Sequence, residues 1–221
     1  MQRQPSTTET PKRQRRSKNH DPSGLLLKTA RSLFASRGYE AVSTGDIARE
    51  AGLTQSMVHY YFGSKERIWE ATMEDMMRDF GARFPLDTTE LQDLDPLSRL
   101  KVLTRRFIRM SASDPNFSRI IIHENLSHSK RLTWLIERFI ARGFQEFDQI
   151  ISEGVSAGQI KDLPLFAAAN TIITASAFTF CLGPMLRDVY GVDLDQPDAA
   201  EQLSDAIIEI VFSGITVKSA A

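Results

Sequence analysis

Several things are scarce in this sequence, and each scarcity excludes something. There is one cysteine, Cys181, so an intrachain disulfide is impossible and a reducing compartment is expected. No stretch alternates apolar and polar residues long enough to demand a sheet. There is no P-loop, dinucleotide-binding glycine fingerprint or nucleophile elbow, so the common nucleotide-binding and hydrolase readings lose their support. The first residues carry no apolar run of the kind a secretory signal needs. Net charge is also nearly absent, at −1, but that total hides an asymmetry. Residues 1–70 hold 12 Lys/Arg against 7 Asp/Glu, whereas residues 71–221 hold 15 against 21. A basic front and an acidic back imply that only the front meets phosphates.

What is present is helical periodicity. Asp21-Pro22-Ser23 opens a first helix with a capping aspartate and a proline suited to the first turn. Leu26, Ala30, Leu33 and Phe34 share one face, and Gly38 ends the helix as a left-handed residue. Ser43 or Thr44 caps a second helix with Asp46 in its first turn, closed by Gly52. Thr54 is placed to cap a third, in which Val58 and Phe62 face inward against Leu33, Phe34 and Ile47. A fourth runs from about Ser64 to Phe80, and an acidic linker spans Pro85 to Pro96. Further helices are predicted over about 97–113, 116–127, 130–157, 163–182 and 198–217, punctuated by Pro115, Gly158, Pro164, Gly183-Pro184 and Pro197. The fold class is all-α.

Two short helices joined at a glycine, the second polar and aromatic, have the build of a helix-turn-helix DNA reader. With Val58 and Phe62 inward, Gln55, Ser56, His59 and Tyr60 fall on the outer side. Glutamine can contact adenine in bidentate fashion, and hydroxyls can bond base edges or phosphates. Thr44 and Lys65 stand near helix N-termini, where backbone N–H groups favour phosphate. Four consecutive rings, His59 to Phe62, cannot all point inward on one helix.

The pattern Gly38-Tyr39, then Thr44, Asp46-Ile47-Ala48, Ala51-Gly52-Leu53-Thr54, Tyr60-Tyr61-Phe62 and Ser64-Lys65-Glu66 resembles the N-terminal domain of the TetR family of bacterial transcriptional regulators. The resemblance covers about residues 24–75. It implies an N-terminal three-helix DNA-binding domain and a larger helical domain for dimerisation and small-molecule binding. The family's DNA-contact positions carry over to Thr44, Thr54, Gln55, Ser56, His59, Tyr60, Tyr61 and Lys65. Where the family most often has a phosphate-contacting tyrosine this chain has His59, so that contact falls to His59 or to Tyr60. The expected organisation is a disordered basic arm over 1–20, a DNA-binding domain over 21–66, and an effector-binding and dimerisation domain over 67–221. The arm's cluster, Lys12 to Lys18, reads as a solvated tail or as a minor-groove or phosphate contact.

Beyond the resemblance, the predicted helix 198–217 carries one narrow acidic stripe, Glu201, Asp205 and Glu209, and is otherwise apolar. A helix apolar on two faces is buried on two faces. With the uncharged 163–182 helix it forms the candidate homodimer interface. Leu163 to Leu186 lacks charge and is long enough to span a bilayer. Its Asn170, Thr171, Thr174, Ser176 and Thr179 and its alanine content favour a buried helix, with a membrane-tethered or helical interaction protein as the alternative. His123 and His128 are five apart, about 140° around a helix, which is wrong for two ligands of one metal. No catalytic residue, metal or cofactor is therefore assigned. The candidate effector residues are Phe107, Arg109, His123, Trp134, Asn170, Thr174 and Phe178, combining apolar walls with polar anchors. The expectation is a cytoplasmic bacterial repressor, a homodimer on a palindromic operator of double-stranded DNA, controlled by an unknown small molecule.

Overall fold

The computed structural model describes residues 21–83 and 89–217, so the basic arm expected over 1–20 lies outside the described residues. Helix α1 spans Pro22–Arg37, with the Asp21 carboxylate accepting from the Ser23 N–H at 3.0 Å. Gly38 follows with φ 73° and ψ 166°. Its φ is positive as predicted, but its ψ is extended rather than left-handed helical. Tertiary packing is the reason: the His123 imidazole lies over Gly38, and a Cβ there would stand 3.0 Å from Nδ1.

Helix α2 (Thr44–Glu50) is capped by Ser43, not Thr44. Its hydroxyl accepts from the Asp46 N–H, and the Asp46 carboxylate accepts from the Ser43 N–H, both at 3.0 Å. The Ser43 hydroxyl also donates to the Asp46 carboxylate at 2.6 Å, and that bond, followed by those from the Ser43 N–H and Arg49, holds the Asp46 pKa down at about 2. Gly52, at φ 66°, turns the chain into α3 (Gln55–Phe62). Thr54 occupies the cap position of α3, but its hydroxyl pairs with that of Ser56 at 2.8 Å instead of capping the backbone. Helix α4 (Lys65–Arg83) starts with the Ser64 hydroxyl accepting from the Arg67 N–H and runs three residues past the predicted Phe80.

The remaining helices are α5 (Pro96–Ser113), α6 (Asn116–Ser127), α7 (Lys130–Leu135), α8 (Ala141–Ser156), α9 (Leu165–Ala177), α10 (Gly183–Tyr190) and α11 (Pro197–Ile215). Three predictions need correction. The acidic linker contains a 3-10 turn, Thr89–Leu91, whose Leu91 is buried in the C-terminal core. The single helix predicted over 130–157 is interrupted by a π-helical segment, Ile136–Ile140. Gly183-Pro184 does not stop the helix predicted over 163–182. Instead a 3-10 segment, Phe178–Leu182, leads into α10, where Pro184 sits in the first turn and forfeits no intrahelical bond.

Two apolar cores organise these elements. One joins α5, α8, α9 and α11 through residues such as Leu100, Ile108, Ile151, Ile172 and Phe212. The other gathers Leu26, Phe34, Ile47 and Val58 with Ile68, Trp69, Met73 and Met76 of α4, and continues into Ile120, Ile121 and Leu135. The domain boundary drawn from sequence between residues 66 and 67 thus falls inside a continuous core. α4 and α6 are the walls the two halves share, and α1 packs directly on α6.

Candidate DNA-reading face and internal cavity

The small front bundle turns the outer side of α3 to solvent. Buried Val58 and half-buried Phe62 hold it to the core that contains Leu33, Phe34 and Ile47. Thr54, Gln55, Ser56, His59, Tyr60 and Tyr61 are all exposed, Tyr60 at 82%. The Gln55 amide donates to the Thr44 hydroxyl at 3.0 Å, so these two candidate contacts form one unit across the turn. His59 Nδ1 lies 3.0 Å from the Gly63 carbonyl, which occupies one side of that ring. Tyr60 meets only the edge of Tyr61, with centroids 5.1 Å apart, and its hydroxyl is free to reach outward. With the Thr54 side chain turned to Ser56, the first N–H groups of α3 keep no side-chain cap.

Lys65 differs from its neighbours on this list. It is half-buried at the first residue of α4, with its ammonium 4.0 Å from the Tyr39 ring centre and 3.5 Å from the Glu40 carbonyl. Burial pushes its pKa down, partly offset by Glu40. On the other contact of Tyr39, the Arg131 guanidinium sits 3.5 Å from the ring centre. Arg131 also donates to Glu40 at 3.1 Å and, through Nε, to the buried Glu124 at 3.1 Å. The Ser129 hydroxyl is a further partner of Glu124. A charged network thus ties α6 and α7 to the turn between α1 and α2. An aromatic chain runs beside it: Tyr39, Trp69, Trp134 and Phe139 follow one another at centroid distances of 6.3, 5.5 and 5.4 Å.

Phe139 lines a cavity of about 1230 Å³ in the C-terminal half. Its walls come from α4, α5, α6, α7, the π segment, α8, α9 and the start of the 3-10 segment after α9. Of the predicted effector residues, Phe107, Asn170, Thr174 and Phe178 line it together. The other three lie elsewhere. Arg109 is exposed on α5, His123 covers Gly38, and Trp134 stands one ring behind Phe139. His128 closes α6 in the left-handed conformation at φ 48°. Sequence reasoning missed much of the wall: Phe117, Ile121 and Asn125 on α6, and Arg138, Arg142 and Phe144 around the π segment. A usable signal was present in the last group, two arginines four residues apart among phenylalanines. α6 faces both ways, with Phe117, Ile122 and Leu126 lining the cavity, His123 over Gly38 and Glu124 paired with Arg131.

Leu165–Tyr190 is one continuous helical stretch of 26 residues with a peak mean hydropathy of 1.7, long and apolar enough to cross a membrane. Yet Ala168, Ala169, Ile172, Ser176, Ala177 and Phe180 are buried against the rest of the bundle. What it leaves open is Phe166, Met185, Val189 and Tyr190, and the neighbouring α11 leaves Ile210 open at 73%.

Residues 26–72 match the model for bacterial regulatory proteins of the tetR family, and residues 96–211 match that for a tetracyclin repressor-like C-terminal domain. The nucleoid occlusion factor SlmA of Haemophilus influenzae is 23% identical over 184 residues, 82% of this chain and 81% of that protein. The fatty acid metabolism regulator protein of Bacillus subtilis is 23% identical over 194 residues, 86% of this chain and 93% of that one. Among solved structures, a ketosteroid transcriptional regulator of Mycobacterium tuberculosis superposes with a TM-score of 0.72 at 22% identity, covering 91% of this chain and 98% of its own.

Proposed function

The chain belongs to the TetR family of DNA-binding transcriptional regulators, and from that premise we propose that it is a cytoplasmic homodimeric repressor whose grip on a palindromic operator is set by a small molecule in the C-terminal cavity. The observation that carries this reading is the pairing of a solvent-facing α3 with a large, mostly apolar cavity, both built on α4 and α6. Tyr60 makes the phosphate contact rather than His59, because its hydroxyl is exposed while the His59 ring is engaged with the Gly63 carbonyl. Gln55 reads a base edge, positioned by Thr44. Thr54, Ser56 and Tyr61 border that contact on the same face, and Lys65 supports it from beneath through Tyr39.

Dimerisation uses the faces of α9, α10 and α11 that one protomer leaves open, centred on Phe166, Met185, Val189 and Ile210. A second copy covers these side chains at a far lower cost than leaving them in water. Two α3 helices then enter successive major grooves roughly 34–36 Å apart. Ligand in the cavity acts through α6 and the Arg131 network, and by linkage DNA weakens ligand binding by the same factor.

Selection of bound sequences from a random DNA pool at fixed salt tests this. The expected product is a near-palindrome occupied by two protomers. Tyr60→Ala lowers affinity for all sequences alike, whereas Gln55→Ala relaxes preference at one position of each half-site. A pool that stays random after selection sinks the reading, and equal loss of preference from both variants sinks the residue roles.

A further inference from the structure

We propose that the molecule received by the cavity is an anionic amphiphile, a long apolar body with one carboxylate or phosphate head held by Arg142. This rests on the reading of the cavity as the effector site and gives that site a ligand class. The volume of about 1230 Å³ exceeds the roughly 300–1,000 Å³ of ordinary small-molecule sites. Seven phenylalanines line it, together with Met77, Met110, Ile121, Ile173 and other aliphatic side chains. Two of the polar groups on the wall already have partners: the Asn125 amide donates to the Ile121 carbonyl at 2.8 Å, and Asn170 meets the Thr174 hydroxyl at 3.4 Å. Such a wall offers a ligand's body dispersion and burial, and few hydrogen bonds.

The charged residues on the wall have one sign. Arg138 and Arg142 line the cavity, and among the described residues no aspartate or glutamate does. A cationic ligand would find no counter-charge there. The two arginines are not equivalent. Arg138 donates to Glu74 at 2.7 Å and lies 5.6 Å from the ring centres of both Trp134 and Phe139, so its charge is already matched. Arg142 is exposed and has no ion pair among the described residues. Ile122, Leu126 and Ile136, which line the same cavity, are exposed although apolar. An unpaired guanidinium beside an apolar mouth matches a head group that stays at the water boundary while its body enters.

The wall also has a gap in its side chains. Gly143, one residue beyond Arg142, lines the cavity within α8, and a Cβ there would meet nothing within 4 Å. Gly143→Leu therefore adds a side chain to the wall at a position where its Cβ clashes with nothing, and it improves helix propensity.

The test uses the full-length protein and three probes with one chain length: dodecanoate, dodecyl phosphate and dodecanol, titrated calorimetrically below their micelle concentrations. At least one anionic probe is expected to bind about tenfold more tightly than the alcohol, the scale of one charge-assisted hydrogen bond. Arg142→Gln removes that difference while leaving the alcohol's affinity within about twofold, and Arg138→Gln removes less of it. Gly143→Leu weakens every probe that binds. Which anion prevails separates a free acid from a phosphorylated carrier. If the alcohol equals both anions in the unaltered protein while Gly143→Leu still weakens it, the head-group assignment is overturned and the cavity remains a ligand site. If no probe binds while DNA selection still yields an operator, the assignment and the cavity's role as receptor for apolar ligands both fall, and the DNA reading stands.

Discussion

The front bundle and the cavity-bearing half solve opposite packing problems. In the front, four helices close on one another around Phe34, Ile47, Val58 and Trp69, and the side chains assigned to function stand outside that core. In the back, the helices enclose space, and the side chains assigned to function line what they fail to fill. A DNA reader needs rigid, outward donors, and α2 and α3 are short, with α2 fixed by the Ser43–Asp46 capping box. A receptor for an apolar molecule needs unfilled volume, and its helices carry a π segment, a 3-10 segment and a bare glycine where continuous packing would have closed the space. The two halves meet at α4, α6 and the Arg131 network, so strain on one is felt by the other.

Cutting that junction should have the largest effect. Arg131→Ala leaves Glu124 buried with Ser129 as its remaining partner, and we expect about 3 kcal/mol of lost stability in thermal unfolding. The same variant should weaken the influence of ligand on DNA affinity. An unchanged melting temperature and unchanged coupling would mean that the halves communicate elsewhere. Gly38→Ala comes next. It forces a side chain into a positive φ and against His123, for about 2 kcal/mol. Adding His123→Ala should return part of that loss, and full additivity of the two changes would remove the contact from the account.

The smallest effect belongs to a cap that serves the front alone. Ser43→Ala should cost about 1 kcal/mol and leave ligand affinity untouched. Its partner Asp46 gives the pH dependence. The folded-state pKa is depressed from 3.8 to about 2, so the contribution is complete above the unfolded value and disappears as pH falls through the folded one. The difference in melting temperature between the unaltered protein and Asp46→Asn should therefore hold at neutral pH and close between about pH 4 and pH 2. A gap that stays undiminished down to pH 2 would contradict the capping box.

How much was legible in the sequence follows the same division. Ser43, Asp46 and Gly52 act within a few residues of their partners, so their roles could be read from spacing, and the inward place of Val58 from helical periodicity. Thr54 and His59 were harder. Their bonds to Ser56 and to the Gly63 carbonyl depend on rotamers that no spacing specifies. In the back, periodicity says that a residue lies on an apolar face but not which neighbour covers it. Phe107, Thr174 and Phe178 reach the cavity, while His123 and Trp134, equally plausible by composition, turn toward the front bundle. Arg138 and Arg142, four residues apart among phenylalanines, hinted at the wall in the sequence, but only the packing shows that Arg142 is the one left without an ion pair among the described residues.

By itself, then, the sequence determined the all-helical class, the helix-turn-helix and the outward face of α3, since caps, glycines and 3.6-residue periodicity act at short range. The tertiary structure alone decided where the chain leaves volume unfilled, which arginine stays unpaired beside it, and which buried pair joins the halves. Those depend on the mutual placement of α4, α5, α6, α8 and α9. Placement of that kind is set by side chains many residues apart closing on one another, and a local pattern does not carry it.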